Sequence, residues 1–129
     1  MSDRFTRFPA ALASRTRSAR IGGTIPTLLA HPDWSRPAPV VVWMHGRTAS
    51  KELDPGRYLR WLRAGIATCS VDLPAHGERP DPSMQDGTGT MRILAQMRAE
   101  IEQIVEHLRT IPAFDALRLA IGGMSAGGM

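Results

Sequence analysis

Cysteine occurs once in this sequence, at Cys69, so no intrachain disulfide can form and an intracellular, cytoplasmic setting is expected. Aromatics are scarce, with three Trp, three Phe and one Tyr, while aliphatic residues are plentiful, the balance of an ordinary α/β domain. No apolar run approaches the roughly 20 residues needed to span a bilayer. Repeats, low-complexity tracts and linkers are also lacking, which leaves one domain as the simplest reading of 129 residues. Acids are outnumbered, with 16 Lys and Arg against 12 Asp and Glu. Arg4, Arg7, Arg15, Arg17 and Arg20 crowd the start beside a single acid, Asp3. Transit peptides and nucleic-acid arms share that composition. However, the arginines lack interleaved aromatics beyond Phe5 and Phe8, and the remaining chain is near neutral. A solvated basic segment over residues 1–20 is therefore expected, followed by a domain over 21–129.

What is present reads as alternating strands and helices. Ile21-Gly22-Gly23-Thr24-Ile25 predicts two strands joined by a two-residue turn, because glycine accepts the positive φ such turns require. The second strand, Thr24 to Ala30, carries Pro26, which cannot donate to a ladder and so places it near a sheet edge. After a loop from His31 to Pro39, Val40 to Met44 is apolar on both faces, as in a central parallel strand; Ile66 to Val71 is a second such run. Between them Asp54 can cap a helix, Pro55 suits its first position, and Gly65 supplies a left-handed exit. Tyr58, Leu59 and Leu62 form its apolar stripe. A longer helix is predicted from Thr90 to Arg109, with Met91, Leu94, Ile101, Ile104, Val105 and Leu108 on one face and an Arg98–Glu102 pair on the wet side. A strand from Ala116 to Ile121 follows. The fold class is therefore α/β, a mostly parallel, doubly wound sheet with an N-terminal β-hairpin. Such sheets carry their chemistry in the loops at the carboxyl ends of strands.

Three loops lie there. Gly123-Met124-Ser125-Ala126-Gly127 matches G-x-S-x-G, a pattern that chance supplies about 0.07 times in a chain of this composition. An apolar strand runs directly into it, as a strand-to-helix elbow requires, and Gly122, Gly127 and Gly128 add room. An idle serine on a glycine-rich turn is the plainer alternative. An elbow serine attacks a carbonyl, and the negative charge that develops needs preorganised N–H donors. One is expected from Ala126, the other from Arg47 in the loop after the first central strand. His45, before Gly46 at a strand end, reads as a brace for that loop. Asp72 in Asp72-Leu73-Pro74-Ala75-His76-Gly77 sits where a ribose-binding carboxylate would, but no G-x-G-x-x-G precedes it. Gly46-Arg47-Thr48-Ala49-Ser50-Lys51 echoes a phosphate loop, yet lacks the second glycine and the hydroxyl after the lysine.

Together VVVWMHGRTASKE, VDLPAHGER and IGGMSAGGM resemble the α/β-hydrolase superfamily, and within it the dienelactone-hydrolase-like and prolyl-oligopeptidase-like esterases. The resemblance covers about residues 20–129. It implies Ser125 as nucleophile, Arg47 and Ala126 as the oxyanion hole, and His45, Gly46, Asp72, His76, Gly77, Gly123 and Gly127 as the structural motif. Dienelactone hydrolases proper use a cysteine nucleophile, so Ser125 points to an esterase-type relative. The H-G-x-x-G pattern of many relatives reads His45-Gly46-Arg47-Thr48-Ala49 here, with alanine at the second glycine.

In this superfamily the triad runs Ser, then Asp or Glu, then His. All four histidines, His31, His45, His76 and His107, precede Ser125. The chain is therefore expected to be the N-terminal part of a longer serine hydrolase of carboxylic esters or related acyl compounds, inactive by itself. Its last strand would have an open edge. The implied partner is a small ester or acyl substrate; no cofactor, metal, nucleic acid or membrane is expected, and the oligomeric state is open. The rival is a non-catalytic binding module that keeps the scaffold without the triad. An arginine-rich arm that binds nucleic acid ranks last.

Overall fold

The computed structural model describes residues 7–128, leaving Asp3, Arg4 and Phe5 of the basic start outside it. A helical turn, α1 (Ala10–Ala13), leads into a hairpin of β1 (Thr16–Ile21) and β2 (Ile25–Ala30). Then come β3 (Ala38–Met44), α2 (Pro55–Arg63), β4 (Ala67–Val71), α3 (Gly87–Arg109) and β5 (Phe114–Gly123). One 3₁₀ turn, Pro82–Met84, precedes α3 and another, Ser125–Gly128, follows β5. The five strands form one sheet in the order β1-β2-β4-β3-β5. β2 runs antiparallel to both its neighbours, β1 and β4, whereas β3 runs parallel to both β4 and β5. The expected α/β class with a hairpin at one side is the one observed; the sheet is mixed, with two parallel and two antiparallel pairings.

Both faces are covered at the centre of the sheet, whereas β5 at its edge leaves Leu117 and Ile121 exposed. Val40, Val42 and Met44 of β3 and Ala67, Cys69 and Val71 of β4 pack with Ile93, Met97, Ile104 and Leu108 of α3. On the other face Tyr58 and Leu62 of α2 close over Leu12 and Ala30, with Trp43 and Trp61 beside them. Leu12 is fully buried and Thr16–Ile21 is a sheet strand, so the boundary expected at residue 20 falls inside β1.

Three local expectations are corrected. The hairpin register Ile21↔Ile25 leaves three connecting residues, Gly22, Gly23 and Thr24, with the first two at φ 63 and 78. β2 lies near the sheet edge as expected, one strand in from β1. Pro26 is tolerated there because its place in the ladder is taken by a side chain. The Asp72 amide donates to the Pro26 carbonyl, and the Asp72 carbonyl, deprived of the reciprocal N–H, accepts from the Arg79 guanidinium at 2.6 and 3.2 Å. Asp54 holds the N-cap position of α2 but at φ 59 and ψ 63, with no capping bond from its carboxylate, which pairs with Arg57 at 3.3 Å instead.

The third correction concerns α3. It begins at Gly87, because Asp86 caps it through the Gly89 amide at 2.8 Å, and Gly89 lets the first turn approach Met84: a Cβ there would lie 2.0 Å from the Met84 carbonyl oxygen. Its buried stripe is Ile93, Met97, Glu100, Ile104 and Leu108, while Met91 is 67% exposed. The helix is thus rotated from the expected face. Glu100 turns inward because both its oxygens meet Arg79 at 2.8 Å, and Gln96 donates to it as well. No ion pair joins Arg98 to Glu102 among the described residues.

Truncating Glu100 leaves a mostly buried guanidinium without its carboxylate. Glu100→Ala should lower unfolding free energy by about 2–3 kcal/mol in urea denaturation, somewhat less than the usual loss for a broken buried pair because Arg79 keeps its bond to Asp72. A loss under about 0.5 kcal/mol would show the pair to be energetically neutral.

Candidate active site

The parallel strands β3 and β5 end side by side, with Met44 opposite Gly123. Past that point the two chains come closer than side chains permit. The Met124 amide donates to the Met44 carbonyl at 3.1 Å, and the Gly127 amide closes the following turn on the Met124 carbonyl at 2.9 Å. A Cβ on Gly127 would lie 2.1 Å from the Met44 carbonyl oxygen, and one on Gly123 would lie 2.1 Å from that of Gly127. Only glycine fits either position.

Ser125 opens the 3₁₀ turn at φ 53, left-handed backbone that serine rarely adopts, and it is exposed. Ala126 is the next residue of that turn. Gly46 abuts the serine: a Cβ on it would stand 3.3 Å from Ser125 Cβ and 4.0 Å from Ser125 Oγ. The loop after β3 and the serine on the turn after β5 are therefore in contact. Thr48, two residues on, is also left-handed at φ 65, in a turn closed by the Ala49 amide on the Gly46 carbonyl. The Arg47 amide has no acceptor among the described residues, while its guanidinium reaches the Met84 carbonyl, Gln85 and Thr90 at the start of α3.

Two histidines frame this loop. His45 accepts from the Leu73 amide at Nε2, which leaves its proton on Nδ1 to donate to the Gly46 carbonyl at 2.6 Å. Burial lowers its pKa to about 4, against the raising effect of that carbonyl, so it is neutral at pH 7. His76 accepts from the Thr48 amide at Nε2 and donates to the Pro74 carbonyl, its ring 5.3 Å from that of His45. His31, near the other end of β3, is likewise engaged at both nitrogens, by the Ala113 carbonyl and the Asp33 amide. His107, in the last turn of α3, is about 25 Å along the helix from Thr90 at ~1.5 Å per residue.

Asp72, fully buried, receives the Lys51 amide and ammonium at 2.9 Å each and the Glu78 amide at 3.0 Å. Gly77, at φ 58, has no room for a Cβ because the Asp72 carboxylate occupies it. Asp72 is thus a fully buried hub of loop contacts, out of reach of a ribose. Cys69 lies fully buried in β4, where desolvation pushes its thiol up to about 12, so it is no nucleophile. Among the described residues no three His, Cys, Asp or Glu side chains gather as a metal site would need, and no helix is long and apolar enough to cross a membrane. An apolar groove of about 650 Å³ runs between Met91, Leu94 and Ile101 of α3 and Ile121 of β5, against the backbone of Gly123 and Gly127. Ser125 does not line it, so it lies below the elbow and not at the serine.

By sequence the chain matches no family model and no curated protein. Solved structures do match. TT1662 from Thermus thermophilus superposes with TM-score 0.67 at 24% identity, over 88% of this chain and 48% of its own. Est1E from Butyrivibrio proteoclasticus, solved with ferulic acid, gives 0.64 at 17%, over 84% and 42%. The acetyl xylan esterase from Paenibacillus sp. R4 gives 0.63 at 21%, over 80% and 37%. The chain has the α/β-hydrolase fold. It spans half or less of the length of these α/β-hydrolase neighbours, several of which are esterases or other hydrolases by name.

Lys51 entered the sequence reading only as the lysine of a phosphate-loop echo; its burial, at 2% exposure, and the Arg79–Glu100 pair were missed. A charged residue carries no periodic mark of burial; the available signal was the concentration of opposite charges in the loops at the ends of β3 and β4.

Because folded His45 binds a proton only near pH 4 and an unfolded histidine near 6.5, the unfolded state gains protons first as pH falls. This contribution is intact above about pH 6.5 and drains away towards pH 4, amounting to about 3 kcal/mol in all. Denaturation midpoints across that range should fall steeply in the wild type and less so in His45→Gln; equal slopes would remove His45 from the account. Gly127→Ala, with its methyl aimed at a carbonyl oxygen, should lower stability by at least about 2 kcal/mol in the same assay.

Proposed function

We propose that this chain carries the nucleophile and oxyanion hole of a serine hydrolase that cleaves carboxylic esters or related acyl compounds through an acyl-enzyme. Ser125 Oγ attacks the carbonyl carbon, and the oxygen that becomes negative is received by the amides of Arg47 and Ala126. A histidine oriented by an acid takes the serine proton and passes it to the leaving alcohol; water then releases the acyl group. The observation that carries this reading is the left-handed, exposed Ser125 seated against Gly46 at the carboxyl ends of β3 and β5. The Arg47 amide, without an acceptor among the described residues, supports it.

The base and its acid are assigned to sequence outside residues 7–128. His31, His45 and His76 have both ring nitrogens engaged, and His107 is remote. The greater length of the neighbours agrees with this. The substrate is proposed to be a small molecule.

In the longer protein bearing this segment, a fluorophosphonate probe should modify Ser125, identified by peptide mass, and Ser125→Ala should abolish both labelling and hydrolysis of p-nitrophenyl acetate, by at least about 10³-fold in kcat. Residues 1–129 alone should label slowly. A folded full-length protein that neither labels nor hydrolyses would favour the non-catalytic binding module.

A further inference from the structure

The loop that brings Arg47 to the serine is held in a shape it would not keep by itself. Thr48 is left-handed, and such strain persists only where surrounding contacts over-determine it. Two ties are the His76–Thr48 bond and the Arg47 guanidinium. A third, stronger one lies three residues past Thr48. The Lys51 amide and ammonium grip the two oxygens of Asp72, one each, while the ammonium also meets Glu78 and Glu52 and the Lys51 carbonyl receives the Tyr58 hydroxyl at 2.9 Å. Asp72 is buried directly after the last residue of β4 and Tyr58 is buried on α2, so both anchors are rigid. Burial alone would lower the lysine's pKa, but its bonds to Glu78 and Asp72 outweigh that and raise it, so the ammonium is charged. An apolar side chain of similar volume would fill the same space without desolvating an ion pair, so stability alone gives little reason for charge here. Directional bonds to a fixed carboxylate set a loop's position more narrowly than apolar packing does.

We propose that Lys51 is a positioning residue: its ion pair with Asp72 and Glu78 holds the 46–49 turn so that the Arg47 amide meets the oxyanion formed at Ser125. This rests on the function proposed above. Lys51 touches no reacting atom and acts through the loop backbone. Loss of the pair leaves the serine and its base intact but lets the amide drift, so the transition state weakens while ground-state binding does not.

The test uses the full-length protein, p-nitrophenyl acetate and the fluorophosphonate probe, with urea denaturation of every variant. Lys51→Met should lower kcat and the labelling rate about tenfold with KM within twofold. The double variant Lys51→Met/Asp72→Asn removes the uncompensated buried carboxylate; it should regain folding stability without regaining kcat. A folded variant, single or double, that keeps wild-type kcat and labelling overturns the proposal, as does a double variant whose kcat returns together with its stability. Wild-type protein that fails to label at Ser125 overturns the functional reading and this inference with it. Normal wild-type labelling with an indifferent Lys51 sinks the inference alone.

Discussion

The arrangement at the carboxyl end of the sheet depends on how near two backbones can come. Gly123 and Gly127 bring the turn after β5 within hydrogen-bonding distance of the end of β3, and Gly46 lets the β3 loop lie against Ser125. A single methyl at Gly127 would overlap a carbonyl oxygen, so this is a steric limit that flexible neighbours cannot absorb. From that contact the rest follows. Ser125 is forced into the left-handed region, its hydroxyl stays outside the regular strand, and the amides of the β3 loop are brought to the same place. The strain is stored where the proposed chemistry is, and it is held by parallel-strand pairing along five register positions from Val40 to Met44.

Charge does the second part of the work. Asp72 stands at the end of β4 as a fully buried acceptor, and its contacts run outward to four places. Its carboxylate takes Lys51 from the β3 loop and the Glu78 amide, its own amide meets Pro26 of the hairpin, and its carbonyl takes Arg79, which continues to Glu100 in the core face of α3. Buried ions cost desolvation, and they are tolerated only when their bonds are nearly complete. Here every buried side-chain nitrogen and oxygen among the described residues has a partner. The network joins hairpin, central strands and long helix to the loop that faces Ser125, so the loop's geometry is not local.

Much of this was legible in the chain. Continuous apolar runs gave β3 and β4, and the capping and exit residues gave α2 to within a residue at each end. The G-x-S-x-G run after an apolar strand led to the serine turn, and the His45-Gly46-Arg47 run led to the loop beside it. The α3 stripe was misread because a sequence shows Glu100 as polar and Met91 as apolar, whereas burial is decided by Arg79 across a loop. Pro26 lies near the edge as expected, but how its missing N–H is made good was not legible: the ladder position is filled by the Arg79 guanidinium from elsewhere. The burial of Lys51 was not legible, since nothing local distinguishes a lysine that meets three carboxylates from one that meets water.

Sequence alone therefore determined what depends on neighbours along the chain: the α/β order, the element types, and the glycines that make tight turns possible. Only the folded structure decided what depends on contacts between distant residues. It set the rotation of α3, the strand order that seats Gly46 on Ser125, and the pairing that buries Lys51. Periodicity and turn chemistry are local consequences of backbone sterics, readable one window at a time. Close approach and ion pairing require two segments to be brought together, and their energy does not exist until they are.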